Sequence, residues 1–234
     1  MMYEVLASYY DALVKDETAT KAWVKLIDEN VHGKKILEAA CGSGEITIAL
    51  AKEGYQIKAF DLSEQMIQQA KQKAGSELVE WSCGDMRTLP NGSYDAILCL
   101  CDSFNYLLTK EEVRQFFIQC YAHLVPGGTL IVDMHSMDRL QEFMEEYNET
   151  GCIDGHDYQW SIESEDDRIY QTFAFYDGDG NYQLEQHVQR VYDPEWILEE
   201  LHKCQFSVQV KTDFTQEGIV PGEKQFYICR RKIQ

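Results

Sequence analysis

The chain has 234 residues, 44% of them hydrophobic and 26% charged, proportions that fit one folded domain with a sizeable core. Forty acidic residues against 21 Lys and Arg give a net charge of −19. A surface of that sign disfavours nucleic-acid phosphates and anionic membranes and suits a cationic ligand. The eight cysteines form no C-x-x-C pair and no zinc spacing, and no apolar run reaches the length of a membrane span. The start Met1-Met2-Tyr3-Glu4 lacks the basic and apolar parts of a signal peptide. A reducing, cytoplasmic setting without a bound metal or a membrane partner is therefore expected.

Apolar spacing at Ala22, Trp23, Leu26 and Ile27 predicts a helix over 18–30. Residues 35–40 read as a buried strand, 45–53 as a helix closed by a left-handed Gly54, and 56–62 as a second strand. Ser63 caps a helix with Met66, Ile67, Ala70 and Ala74 on one stripe. Strands follow over 78–83 and 94–101, parted by the turn Pro90-Asn91-Gly92. Thr109 and Glu112 form a capping box that opens a helix burying Val113, Phe116, Phe117, Cys120 and Leu124. Pro126-Gly127-Gly128 stops it before a fifth strand over 129–135. This alternation predicts an α/β fold, a Rossmann-like parallel sheet with helices on both faces.

The rhythm breaks over 150–192, where alternating aromatic-rich strands and the turn Asp177-Gly178-Asp179-Gly180 suggest a small antiparallel β insert. Asp193-Pro194 opens a last helix, and strands over 206–214 and 224–232 flank Pro221-Gly222 as a closing hairpin. The expected organisation is a core over 1–149 with an N-terminal helical cap, an insert over 150–192 that covers the substrate, and a closing helix and two strands over 193–234.

The first strand runs into Cys41-Gly42-Ser43-Gly44 and at once into a helix. Small residues let a ligand approach the backbone, and the helix start offers free N–H groups. A dinucleotide site wants a third glycine, but that position is Thr47. Asp61 ends the second strand, 19 residues after Gly42, where an acceptor-only carboxylate can hold both ribose hydroxyls. Asp85 and Met86, after the third strand, suit an adenine amino group and ring.

The ordered set Glu38-x-x-Cys41-Gly42-Ser43-Gly44, Asp61-Leu62-Ser63, Gly84-Asp85-Met86, Tyr94-Asp95-Ala96-Ile97 and Leu124-x-Pro126-Gly127-Gly128 resembles the motifs of class I S-adenosylmethionine (SAM) dependent methyltransferases. The resemblance covers residues 1–135 most strongly. It implies a seven-stranded sheet with a reversed last strand, SAM as methyl donor and S-adenosylhomocysteine as product. Cys101-Asp102-Ser103-Phe104-Asn105-Tyr106-Leu107, Tyr9-Tyr10-Asp11-Ala12-Leu13 and Glu185-Gln186-His187-x-Gln189-Arg190-x-Tyr192 further resemble small bacterial methyltransferases related to glycine and amino-sugar N-methyltransferases.

Carried across by that resemblance, Ala40, Gly42 and Gly44 line the methionyl part and Asp61 holds the ribose, with Leu62 and Met66 also in the cofactor-binding set. Asp85 and Met86 hold the adenine. Leu100 and Cys101 lie beneath the cofactor, with Tyr10 and Trp23 closing over it. A tyrosine common in the relatives three positions before the tryptophan is Thr20 here.

Base candidates lie at the ends of strands four and five, Asp102 and His135. Asn105, His187 and Arg190 are the substrate-side candidates, with Arg190 suited to a carboxylate or phosphate. Tyr158 and Trp160 are further candidates to line a pocket. The leading expectation is methyl transfer to a small amine or hydroxyl acceptor by a monomer or homodimer. One alternative is methylation of a modified tRNA nucleoside, using Arg190 and Arg230-Arg231-Lys232. The other is SAM binding without catalysis.

Overall fold

The longest apolar runs of the chain become the inner strands of one sheet. The computed structural model describes residues 6–179 and 181–233; Gly180 of the expected insert turn, and the first five residues, lie outside them. In chain order the elements are α1 (Tyr10–Val14), α2 (Glu17–Asn30), β1 (Lys35–Ala39), α3 (Glu45–Lys52), β2 (Gln56–Asp61), α4 (Glu64–Gln72), β3 (Val79–Cys83) and β4 (Tyr94–Cys99). They continue with α5 (Lys110–His123), β5 (Leu124–His135), α6 (Met137–Glu142), β6 (Tyr147–Ile153), β7 (His156–Glu165), β8 (Arg168–Tyr176) and β9 (Tyr182–Arg190). The chain closes with α7 (Pro194–Lys203), β10 (Phe206–Thr212), β11 (Gln216–Glu217) and β12 (Lys224–Arg231).

The main sheet runs β11-β10-β12-β5-β4-β1-β2-β3. Strands β1 to β5 are mutually parallel, and β12 lies antiparallel between β5 and β10. Apart from the two-residue β11, this is the seven-stranded, last-strand-reversed sheet expected. Helices cover both faces. Phe116 and Phe117 of α5 pack with Ile197 and Leu201 of α7 on one side. Trp23, Leu26 and Ile27 of α2 pack with Leu50 of α3 on the other. Strands buried on both faces read as continuous apolar runs for this reason.

The capping box at Thr109–Glu112 and the Asp193 cap before Pro194 both form. Strand β4 stops at Cys99, two residues short of the expected end, because Cys101 and Asp102 take left-handed backbone angles (φ 56° and 60°) that no strand continues. Strand β5 begins at Leu124 and runs through Pro126-Gly127-Gly128, its register against β4 shifting between Tyr94 and Ala96.

The insert is a four-stranded antiparallel sheet, β6-β7-β8-β9, starting at Tyr147 rather than 150. It is anchored twice. Leu140 and Phe143, on and just after α6, pack under Ile162 and Ile169. Leu6 and Tyr9 pack on Phe173 and Phe175, with the Tyr9 and Phe175 rings stacked at 4.4 Å.

Candidate active site

A cavity of about 770 Å³ opens beyond the carboxyl ends of β1, β2, β3 and β4, where open α/β sheets bind ligands. Its wall begins with the glycine turn. Ala40, Gly42 and Gly44 all take left-handed angles. A Cβ on Gly44 would lie 2.5 Å from the Trp81 ring, whereas one on Gly42 would meet nothing within 4 Å. Gly44 is thus needed for packing, and Gly42 leaves an open backbone face toward the cavity. Asp61 holds this turn in place: its carboxylate accepts from the N–H of Gly42 (2.8 Å) and of Ser63 (2.8 Å). A carboxylate has about four lone-pair sites, so some acceptor capacity remains for a ligand's hydroxyl beyond these bonds and the neighbouring Leu62 N–H.

Leu62, Met66, Asp85 and Met86 line the neighbouring stretch. The Asp85 carboxylate is gripped by Arg87, whose Nη2 lies 2.5 Å from Oδ2 and which also reaches Glu112. That grip holds the Asp85 carboxyl below the usual carboxylate range. Leu100, Cys101 and Asp102 form the floor, and Tyr10 and Trp23 approach from α1 and α2. Trp23 is also a core residue, packed on Phe214 and Phe226 with ring centroids 5.0 Å away. Asp11 ties α1 down through the Ser43 hydroxyl (2.5 Å) and Lys73 (2.6 Å).

The cover differs from expectation. Among the described residues, none of β6–β9 lines the cavity; the cover comes from α1, α2 and the Asp213–Lys224 stretch of the last hairpin. Tyr158 and Trp160 instead bond Glu149 and Gln171.

At the floor lies a charge cluster. Asp102 Oδ2 accepts from Lys224 Nζ (2.8 Å), which also lies 3.6 Å from Asp133. The Asp102 N–H donates to Asp133 (3.2 Å), and its carbonyl accepts from Gln189 Nε2 (3.1 Å). His135 Nδ1 stands 3.7 Å from Asp102 Oδ1, beyond hydrogen-bond reach, and both atoms are buried without a hydrogen bond. Burial works against charge on Asp102, but His135 and Lys224 outweigh it and hold the carboxyl below its ordinary value. Burial pushes the His135 imidazole down, against the pull of Asp102. Asp102 lines the cavity and His135 stands behind it. Sequence reasoning missed Lys224, Asp133 and Gln189. Asp133 was signalled by a carboxylate in an otherwise apolar strand; nothing in the sequence marks Lys224.

Asn105, His187 and Arg190 do not reach the cavity. Asn105 is 0% exposed, donates to the Arg190 carbonyl (2.7 Å) and accepts from the His135 N–H (3.0 Å). His187 bonds Glu185 (2.8 Å) and the Tyr106 hydroxyl (3.1 Å). Arg190 is consumed by Asp167 and the Leu108 carbonyl. Buried polar groups find partners inside the protein, and these three have found theirs. Asn105→Ala is expected to cost about 2–4 kcal/mol in urea unfolding, since it strands two buried backbone groups. Arg230 and Arg231 bond main-chain carbonyls of Asn30, Tyr121 and Leu124. They pair near Thr129, at the opposite edge of the sheet from His135.

Two buried acids titrate near neutrality. Burial pushes Glu38 up to about 7, opposed by the Thr47 hydroxyl and reinforced by Asp61. Burial likewise pushes Asp133 up to about 7, against the pull of Lys224. Both pKa values are raised in the folded state, so the folded protein keeps protons that the unfolded chain releases above pH 4.5. Their stabilising contribution is therefore present below that pH and lost as pH rises to 7. The contribution of these two acids should fall through this window, by roughly 1.4 kcal/mol per pH unit for each proton, while His135, its pKa lowered by burial, works in the opposite sense up to pH 6.5. Urea unfolding at pH 5, 6 and 7 checks it; Glu38→Gln and Asp133→Asn should each make the fall of stability with pH shallower, by up to about 1.4 kcal/mol per pH unit.

The site fits the SAM implied by the motifs: an open glycine backbone, a ribose-ready carboxylate and a buried Glu38 whose Oε2 has no hydrogen bond. Among the described residues, no group of three His, Cys, Asp or Glu is placed to hold a metal, and no helix is long and apolar enough to cross a membrane. Residues 36–128 match the family described as "Methyltransferase domain". Over 99% of this chain and 98% of its own length, "Putative methyltransferase YqeM" of Bacillus subtilis is 32% identical. A glycine/sarcosine N-methyltransferase of Parasynechococcus marenigrum is 32% identical over 54% of this chain and 52% of its own. The crystal structure of a SAM-dependent methyltransferase from Clostridium acetobutylicum superposes with a TM-score of 0.83 at 26% identity, covering 98% of this chain and 99% of that one. With its sheet order, its glycine turn and these relatives, the chain belongs to the class I SAM-dependent methyltransferases.

Proposed function

We propose that the enzyme methylates a small amine, with Asp102 receiving the amine and His135 taking its proton. The observation that carries this is the Asp102 carboxylate: it lines the cavity floor, is held below its ordinary pKa, and turns its buried Oδ1, which has no hydrogen bond, toward His135 Nδ1. Carboxylates outnumber lysines nine to two in the cavity lining, which favours a cationic acceptor over an anionic one. The glycine/sarcosine N-methyltransferase relative supports the same chemistry.

Gly42, Gly44 and Ala40 would hold the methionyl part of SAM, Asp61 and Leu62 the ribose, and Met66, Asp85 and Met86 the adenine. When bound, the cofactor supplies a sulfonium methyl that passes to the acceptor's lone pair as the carbon–sulfur bond breaks. An amine reaches a neutral solution as an ammonium ion and must lose a proton before it has a lone pair. The Asp102 carboxylate draws that ion to the cavity floor and aims it. His135, held neutral by burial, takes the proton beside that carboxylate. Lys224 and the Asp133 carboxyl fix Asp102 from behind, so positioning supplies most of the rate.

The test is a screen with methyl-labelled SAM against amino acids, amino sugars, matched hydroxyl compounds and purified tRNA. Labelled N-methyl products from the amines are expected. Transfer to hydroxyl compounds or tRNA with none to amines would overturn the reading.

A further inference from the structure

The insert sheet does not line the cavity, yet its strands carry a hydrogen-bond chain that ends at His135. Trp160 on β7 donates its indole N–H to Oε1 of Gln171 on β8 (3.2 Å). An indole nitrogen only donates, so this bond fixes which end of the Gln171 amide is oxygen. Gln171 Nε2 donates in turn to Oε1 of Gln189 on β9 (2.8 Å). Gln189 Nε2 donates to the Asp102 carbonyl (3.1 Å), which only accepts. Two independent bonds thus orient the Gln189 amide in the same sense. His135 Nε2 lies 3.1 Å from Gln189 Oε1. Facing an acceptor, that nitrogen carries the ring proton, and Nδ1 is the bare nitrogen on the Asp102 side.

We propose that Trp160, Gln171 and Gln189 set the tautomer of His135, so that the insert sheet makes Nδ1 the proton-accepting atom of the site. The opposite tautomer is the one that a lone carboxylate beside Nδ1 would select, by accepting an Nδ1–H bond. In that state the basic nitrogen would be Nε2, turned to the insert. With the proton held at Nε2, two acceptors, Nδ1 and Asp102 Oδ1, face each other. A proton arriving at Nδ1 is then attracted by the Asp102 carboxylate 3.7 Å away, which favours its uptake. In that step the N–H bond of the acceptor ammonium breaks and its electron pair stays on nitrogen. The proton ends on Nδ1, and the imidazolium later returns it to solvent. The other charged groups that act on His135 are Lys224 on β12 and Arg139 on α6. Asp133, on β5 itself, stands behind Asp102. Gln189 is a positioning residue, 3% exposed, acting through His135 and the Asp102 backbone.

The catalytic consequence rests on the amine-acceptor reading above; the tautomer does not. Long-range ¹H–¹⁵N NMR of the labelled full chain, with S-adenosylhomocysteine added, reads it directly. The neutral His135 ring is expected to carry its proton on Nε2. Gln189→Leu should shift the population toward Nδ1–H at least fivefold, and Gln189→Glu, which keeps an acceptor there, should restore Nε2–H. A wild-type ring protonated at Nδ1 overturns the proposal without recourse to any variant. An unmoved tautomer in folded Gln189→Leu overturns the role of Gln189. An Nε2–H ring together with undiminished turnover in Asp102→Asn would overturn the acceptor reading and leave the relay standing.

Discussion

Asp61→Ala is expected to weaken S-adenosylhomocysteine binding at least a hundredfold. In the proposed site the carboxylate would accept from two ribose hydroxyls, and a hydrogen bond to a charged group contributes about 1.5–3 kcal/mol. Two such bonds make roughly 3 kcal/mol or more, and each 1.4 kcal/mol is a factor of ten in affinity. A second effect adds to this. The same carboxylate holds the Gly42 and Ser63 N–H groups, so alanine also loosens the turn. Asp61→Asn separates the two effects: it keeps the size and one acceptor oxygen, and should lose nearer tenfold. Titration calorimetry at fixed pH reads both variants, with thermal melting as the control for folding. An affinity within fivefold of wild type in Asp61→Ala would remove Asp61 from the cofactor site.

The largest loss of turnover is expected from Asp102→Asn. Positioned acid–base groups contribute about 10²–10⁴-fold, and Asn at this position cannot stabilise a proton on His135. The loss should fall on kcat for the amine, with S-adenosylhomocysteine affinity within about threefold of wild type. The pH profile of the wild type tests the same assignment. His135 must be unprotonated to act, so the rate should rise with pH. Because burial lowers the imidazole, the inflection should lie below the ordinary histidine value of 6.5. An inflection above that value, or equal losses in kcat and in cofactor affinity, would place Asp102 and His135 outside the reaction.

Local chemistry made much of the fold readable. The capping box at Thr109, the Asp193 cap and the left-handed Gly54 are decided within one turn of chain, so their signals sit together in the sequence. The ends of β4 and the course of β5 through Pro126-Gly127-Gly128 were less readable. The first depends on two non-glycine residues in left-handed conformation, and the second on a register shift against a neighbouring strand. No local propensity encodes either.

The site divides in the same way. The glycine turn, Asp61, Asp85 and Met86 follow directly on parallel strands, and a parallel sheet brings every strand's carboxyl end to one edge. Their convergence is therefore implied by strand order alone. Lys224 is the opposite case. It begins a strand, and only the reversal of β12 against β5 carries that beginning to the cavity edge, opposite His135. The same reversal sends Arg230 and Arg231 to the far edge. Asn105, His187 and Arg190 carry polar side chains of the kind that bind ligands, but their partners come from segments up to 85 residues away, and those partners leave them nothing to offer.

The sequence by itself determined the sheet, the cofactor and the glycine turn at the cavity wall, because each rests on neighbours in the chain. Only the tertiary structure decided which polar residues face the cavity and which are spent on the protein's own backbone. A buried donor or acceptor must be satisfied by whatever folding brings beside it, and no stretch of sequence contains that partner.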